Sequence, residues 1–372
     1  MIRLLAVDDS ALMRRLLAEV FSAAPDIAVT FARNGVEALA VLDQVEPDVI
    51  SLDINMPEMD GLTCLDRIMV QRPCPVVMFS TLTADGAEQT LKALSLGAVD
   101  YVLKPGGAIS LKLDEFGPVL IEKVRVASRA RLSTSHRLSE RVRLRAGMPA
   151  AKARKNPAPR RAAVPAEIEI PIGALQKGGF ADRLVLVGCS TGGPPALDAL
   201  LEPLPAEFPW PIVIAQHMPA SFTGALADRL DRLCPLEVVE VTKPMPLRAG
   251  RVYVARGDAD ILVSRRRAEL IAMPAPLDGG LNWHPSVDRM VDSALRAAEP
   301  GGLIGVLMTG MGYDGAAAMT RLHQQGGFTI AESEDSAVVW GMPGELVRAD
   351  GAGMVLPVED IAPTLLRLAA AR

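Results

Sequence analysis

Aromatic side chains are scarce, Phe, Trp and Tyr making up 4% of the 372 residues, and there are only four cysteines. Cys64, Cys74, Cys189 and Cys234 show neither paired metal-ligand spacing nor a dense disulfide framework, so buried free thiols in a reducing compartment are expected. Also missing is any apolar run near the roughly 20 residues that a membrane helix needs. The opening MIRLLAVDDS reaches acidic residues by position 8, without the apolar stretch and cleavage site of a signal peptide. A cytoplasmic location without membrane insertion is the expectation. Cationic excess is lacking too: the formal net charge of −5 argues against a protein built wholly for nucleic acid or a membrane surface.

What is present is length and alternation. A chain of 372 residues exceeds the usual single core, so two domains are expected. From the start to about residue 105, strand-like runs (IRLLAV, IAVTFA, PDVISLD, PVVMFS, DYVLK) alternate with amphipathic stretches, which predicts a doubly wound parallel sheet of the flavodoxin-like order. A second α/β series begins at 181 with ADRLVLVGCS and continues through WPIVIAQHM, GGLIGVLMTGMGYDG and FTIAESED to a final helix. Between them, residues 123–161 carry thirteen Lys and Arg against Glu140 alone, followed and interrupted by Pro149, Pro157, Pro159 and Pro165. This reads as a helix end running into a basic connector; a nucleic-acid arm is the sharper alternative, but no aromatic ring is interleaved for base stacking, so no DNA partner is expected. The expected division is 1–122, a connector over 123–180, and 181–372.

In the first domain Asp8 and Asp9, Asp53, Ser80 and Lys104 all fall at carboxyl ends of predicted strands, and so on one rim. Three neighbouring carboxylates repel unless a cation joins them, and an all-oxygen set of this kind suits Mg²⁺. Asp53 can then act as a nucleophile towards a phosphoryl group, with Lys104 pairing the new oxygens and Ser80 donating to one of them. Singly, each residue also reads as a helix cap or strand exit.

In the second domain Gly188-Cys189-Ser190-Thr191-Gly192 joins an apolar strand to a helix, placing a serine hydroxyl at a sharp turn near a helix N-terminus. His217 ends the next strand, and Asp314 lies in the glycine-rich TGMGYDG. A serine needs a near-neutral base, and that base needs a carboxylate to hold its tautomer; these three residues meet the requirement. Their chain order differs from that of α/β-hydrolases. Backbone amides near Met311 are candidates for holding an oxyanion, a role worth about 10²–10³ in rate in other hydrolases. A glycine-serine turn alone is weak evidence, and a phosphate cradle or a receiver-controlled binding module without catalysis stays open on these residues.

Through VDDSALMRR, LDINMPEMDG, VVMFSTLT and DYVLKP the first 120 residues resemble response-regulator receiver domains. Through GCSTGGPPAL, QHMPASFTGALADRL, GRVYVA, HPSVDRM, LMTGMGYDGAAAM and EDSAVVWGMP, residues 183 to 360 resemble the chemotaxis protein-glutamate methylesterases, the CheB family. The resemblance implies two α/β domains, a flavodoxin-like receiver and a Rossmann-like methylesterase. It also implies phosphorylation of Asp53 by the sensor histidine kinase CheA, relay through Ser80, Tyr101 and Lys104, and Mg²⁺ held by Asp8, Asp9, Asp53 and the backbone carbonyl of Asn55. For the second domain it implies catalysis by Ser190, His217 and Asp314 without a cofactor. The substrates implied are glutamate γ-methyl esters, and certain glutamines, of methyl-accepting chemotaxis receptors. Finally, it implies that the unphosphorylated receiver covers the hydrolytic site.

Overall fold

The computed structural model describes residues 1–81, 83–105, 113–132 and 183–370, with the side chains of 113–115 left aside. The expected connector therefore lies outside the described residues from 133 onward. Its first residues belong to a helix.

The first domain is a five-stranded parallel sheet in the order β2-β1-β3-β4-β5, built from Ile2–Val7 (β1), Ile27–Ala32 (β2), Val49–Asp53 (β3), Val76–Ser80 (β4) and Asp100–Leu103 (β5). Every residue of β3 and β4 is buried, as continuous apolar runs require when helices cover both faces. The helices are Ala11–Ser22 (α1), Gly35–Val45 (α2), Gly61–Gln71 (α3), Ala84–Ser95 (α4) and Leu113–Ala127 (α5). Polar caps start four of them: Ser10, Asn34, Asp60 and Thr83 each accept a backbone N–H in the first turn. Ser10, not Asp8 or Asp9, caps α1, and this leaves the Asp9 carboxylate and one Asp8 oxygen to the rim. α5 runs past residue 122 because Leu120, Val124 and Ala127 continue its buried stripe, while Lys123 and Arg125 pair with Asp100 and Asp26 of the sheet domain.

The second domain centres on a seven-stranded parallel sheet in the order β15-β14-β13-β6-β7-β10-β8. Its strands are Leu184–Cys189 (β6), Ile212–Gln216 (β7), Glu237–Val241 (β8), Arg251–Ala255 (β10), Leu303–Leu307 (β13), Phe328–Glu332 (β14) and Met354–Leu356 (β15). Gly193–Leu201 (α6), Ala220–Leu233 (α7), Val287–Ala297 (α8), Ala316–Gln324 (α9), Met342–Arg348 (α10) and Val358–Ala370 (α11) cover it. A small antiparallel sheet of Met245–Pro246 (β9), Asp260–Arg266 (β11) and Glu269–Ala275 (β12) is inserted after β8; it was not foreseen from the sequence. Among the described residues no helix is long and apolar enough to cross a membrane.

The domains meet through α4, which packs on α6 and α7. Tyr101 stacks on Phe222 with centroids 4.9 Å apart, and the Thr191 hydroxyl donates to Asp100 Oδ2 at 2.6 Å. After α5 the chain crosses to the second domain, where Arg131 pairs with Glu334 at 3.0 Å.

Candidate functional site

In a sheet ordered 2-1-3-4-5 the crevice opens at the carboxyl ends of β1 and β3, the point where strand order reverses. Asp8 and Asp9 follow β1 and Asp53 ends β3, so one ligand atom from each lies within 4.8 Å of the others. The Lys104 ammonium reaches them from the end of β5, 2.7 Å from Asp53 Oδ2 and 2.9 Å from Asp8 Oδ2. Burial lifts the Asp53 carboxyl above the usual carboxylate range against the pull of this ammonium. Burial disfavours the charged Lys104 as well, but the hydrogen bond to Asp53 and the charges of Asp53 and Asp8 leave it above its ordinary value. Asn55 sits at the rim with its N–H 3.4 Å from Asp53 Oδ1.

The two remaining receiver residues face elsewhere. The Ser80 hydroxyl contacts the Gly86 carbonyl at 3.2 Å and accepts from Thr90 at 2.6 Å, so it is turned towards α4. Tyr101 is buried against Phe222 of the other domain, with the Lys123 ammonium 5.4 Å from its ring centroid.

The second rim uses the same geometry. β6 and β7 are hydrogen-bonded neighbours with Cys189 opposite Gln216, so the residues that follow them, Ser190 and His217, leave the sheet side by side, about 5 Å apart in strand spacing. The turn at Ser190 is held by its N–H donating to Thr309 O (2.9 Å) and by its carbonyl accepting from Gly193 N–H (2.8 Å) and Gln216 Nε2 (3.0 Å). Gln216 also bonds the His217 carbonyl at 3.1 Å and accepts the Cys189 thiol at 3.0 Å, so one amide ties the Ser190 turn to the histidine. Cys189 is thereby buried and facing away from the rim, with its thiol pushed up by burial. All four cysteines are buried and free. Gly310 has to be glycine, since a Cβ there would stand 2.8 Å from Ser190 Cβ.

His217 Nε2 lies 2.8 Å from Asp314 Oδ2. The same carboxylate accepts the N–H groups of Val287 (2.7 Å) and Asp288 (3.1 Å) and the Ser286 hydroxyl (3.1 Å), all at the start of α8. Burial would raise the Asp314 carboxyl, but His217 and these amides outweigh it and hold the group below the usual carboxylate range. An ionised carboxylate only accepts, so a neutral His217 carries its proton on Nε2 and keeps Nδ1 as a lone-pair acceptor. Nδ1 is buried and has no partner among the described residues. Trp283 lies parallel to the His217 ring at 6.2 Å and is itself met edge-on by Tyr313 at 4.7 Å.

Ser190, His217 and Met311 line one cavity of about 610 Å³. Its opposite wall comes from the receiver: Val99 to Pro105, Phe116, Val119 and Lys123. His284 also lines it, its Nδ1 2.9 Å from the buried Asp260. Behind the serine turn Glu332 ends β14; it accepts the Thr309 N–H at 2.8 Å and the Ser336 hydroxyl at 2.9 Å, and burial pushes it up to about 7. Sequence reasoning missed Gln216, Ser286 and Glu332. Ser286 alone had a visible signal, a capping serine ahead of the apolar-periodic VDRMV.

Comparison with known proteins identifies both domains. Residues 4–113 match the response regulator receiver domain and residues 185–365 the CheB methylesterase domain. The chain is 53% identical over 370 residues to protein-glutamate methylesterase/protein-glutamine glutaminase 2 of Rhodopseudomonas palustris, covering 98% of each chain. It is 51% identical over 365 residues to protein-glutamate methylesterase/protein-glutamine glutaminase 3 of Rhodospirillum rubrum, covering 98% of this chain and 95% of the relative. Among solved structures, the Thermotoga maritima CheB methylesterase catalytic domain is 36% identical with a TM-score of 0.49, covering 50% of this chain and 98% of that one. A receiver sheet and a methylesterase sheet, joined in one polypeptide and matched along almost its whole length, make this chain a member of the CheB family of protein-glutamate methylesterases/protein-glutamine glutaminases.

Proposed function

We propose that this protein hydrolyses glutamate γ-methyl esters, and deamidates specific glutamines, on methyl-accepting chemotaxis receptors, using Ser190, His217 and Asp314, under control of phosphorylation at Asp53. The observation that carries the reading is the His217–Asp314 hydrogen bond, which leaves Nδ1 buried and unpartnered, in a histidine that lines one cavity with Ser190. His217 Nδ1 takes the Ser190 proton as Oγ attacks the ester carbonyl. Asp314 stabilises the imidazolium that forms and, fixed by two α8 amides, does not need to reorganise. The Met311 amide is our candidate for the oxyanion contact. The proton on Nδ1 passes to the departing methoxide, which leaves as methanol, or to the departing amide nitrogen of a glutamine, which leaves as ammonia, and water then releases the glutamate from Ser190.

The acidic rim fits Mg²⁺: Asp8, Asp9 and Asp53 bring three carboxylates together, and the buried Asp8 Oδ2 lacks a hydrogen-bond donor of good geometry. Asp8, Asp9, Asp53 and the Asn55 carbonyl would hold the ion, which when bound supplies positive charge against the incoming phosphoryl oxygens. Asp53 attacks the phosphoryl group donated by the sensor histidine kinase CheA. Lys104 then pairs with the phosphoryl group, Ser80 turns from Gly86 towards it, and Tyr101 shifts, loosening the contact with Phe222 that keeps the receiver over Ser190. We place the protein in the cytoplasm and divide it into a receiver, a basic connector and a catalytic domain.

The test is methanol release from methylated receptor membranes by wild type and Ser190→Ala, with and without a phosphodonor. Release by the wild type alone, stimulated by the donor, is the expected result. Equal release by both proteins would remove Ser190 from the mechanism.

A further inference from the structure

The contacts that hold the receiver in place avoid the groups that would do the chemistry. Asp100 bonds Thr191, Tyr101 stacks on Phe222, and Arg131 pairs with Glu334, whereas the His217–Asp314 bond stays intact at 2.8 Å and His217 Nδ1 remains without a partner. Nor does the receiver fill the space over Ser190. A cavity of about 610 Å³ is left between the domains, within the range of about 300–1,000 Å³ common for small-molecule sites. It reaches solvent where its lining residues Val119, Asp258 and Asn282 are exposed. Much of its wall is apolar, with Val99, Val102, Phe116 and Trp283. A glutamyl ester carried on a folded protein has to bring a backbone with it, and a single helix is about 10–12 Å wide, whereas the receiver's Val99, Val102 and Phe116 share this cavity with Ser190 and His217 and stand in the way of such a backbone. A free ester of a few carbons has no such need.

From this arrangement we propose that the receiver-docked, unphosphorylated enzyme is an active hydrolase of small, uncharged short-chain esters, so that docking selects by substrate size and leaves the chemistry running. The proposal rests on the Ser190, His217 and Asp314 assignment above. The step is the same acyl transfer: Ser190 Oγ forms a bond to the acyl carbon and its proton goes to His217 Nδ1. The C–O bond to the alcohol breaks, the alcohol takes that proton, and water cleaves the acyl-serine to the free acid. No other reactant is required.

The test compares two esters on the full chain, each with and without beryllofluoride and Mg²⁺ as an acyl-phosphate mimic at Asp53. p-Nitrophenyl acetate is the small ester and methylated receptor membranes carry the large one. Small-ester turnover that is absent in Ser190→Ala and changes less than twofold with beryllofluoride, while receptor methanol release rises at least tenfold, is the expected result. Small-ester turnover that is negligible without beryllofluoride, or that rises in step with receptor turnover, overturns the size-selection proposal and leaves the catalytic assignment standing. Small-ester turnover undiminished in Ser190→Ala, together with receptor release undiminished in that variant, overturns both.

Discussion

Asp314 meets more donors than an asparagine could. Its two oxygens accept from His217, Val287, Asp288 and Ser286, and an amide at this position would turn an NH2 group towards at least one N–H. Asp314→Asn is therefore expected to lower kcat by about 10⁴, the loss seen when a serine-protease aspartate is changed in the same way, because His217 is no longer held with Nδ1 as acceptor. It should also cost about 1–3 kcal/mol of stability for the mismatched buried donor. Steady-state kinetics beside a thermal melt separates the two effects: a variant that melts lower and turns over normally would deny Asp314 its role in orienting His217. At this scale Ser190, His217 and Asp314 were legible as candidates because the first two directly follow strand ends and the third lies in the glycine-rich turn beyond Leu307. The donors around Asp314 were not. They come from α8, about 27 residues earlier in the chain, and no local pattern ties Val287 or Asp288 to a turn at 314.

At the scale of elements, strand ends also explain what stayed hidden. All five strands of the first sheet, and β6, β7, β13 and β14 of the second, announced themselves as apolar runs, whereas β8, β10 and β15 did not: β8 carries the charged Glu237 and Glu240, and β15 is three residues long. The antiparallel insert of β9, β11 and β12 did not, since Met245–Pro246 is two residues long and β11 ends in the exposed Arg265 and Arg266. Glu332, the last residue of β14, carries no local signal in the sequence that sets it apart. Folding buries it to 1% exposure under the serine turn, where it receives the N–H of Thr309, whose carbonyl in turn holds the Ser190 N–H. Burial raises its pKa from the ordinary 4.5 to about 7. A carboxyl raised in this way favours the folded state fully below pH 4.5, and that contribution is lost as pH rises through 7. In Glu332→Gln the amide oxygen can still accept from Thr309, and Ser336 can accept from the NH2, so the fold should persist without the titration. The melting temperature of the variant relative to wild type is expected to climb between pH 4.5 and 8, by the equivalent of a few kcal/mol. A difference that stays flat over that range would mean that Glu332 does not titrate where burial puts it.

For the whole molecule the deciding quantity is the free energy that keeps the receiver docked. It is built from few specific contacts on top of the apolar packing of α4 against α6 and α7. The Tyr101–Phe222 stack contributes about 0.5–1.5 kcal/mol beyond its buried area. The buried Thr191 hydroxyl on the Asp100 carboxylate contributes about 1.5–3 kcal/mol. Asp100 is also the partner of the Lys123 ammonium at 2.8 Å, so it joins β5, α5 and the residue after Ser190 in one cluster. It precedes Tyr101 in the chain, and a shift of that tyrosine on phosphorylation would pull on it. Removing the carboxylate should have the effect phosphorylation has, without touching Asp53. In Asp100→Ala the docking equilibrium loses about 1.5–3 kcal/mol, and each 1.4 kcal/mol is a tenfold change in population. Receptor methanol release by the unphosphorylated variant is thus expected to rise at least tenfold towards the phosphorylated wild-type rate. Release by the phosphorylated variant should match phosphorylated wild type, because the contact it lacks is one that the proposed switch would break on phosphorylation. A folded Asp100→Ala protein with an unchanged basal rate would show that the other interdomain contacts hold the receiver, and that the Asp100–Thr191 bond has no part in the switch.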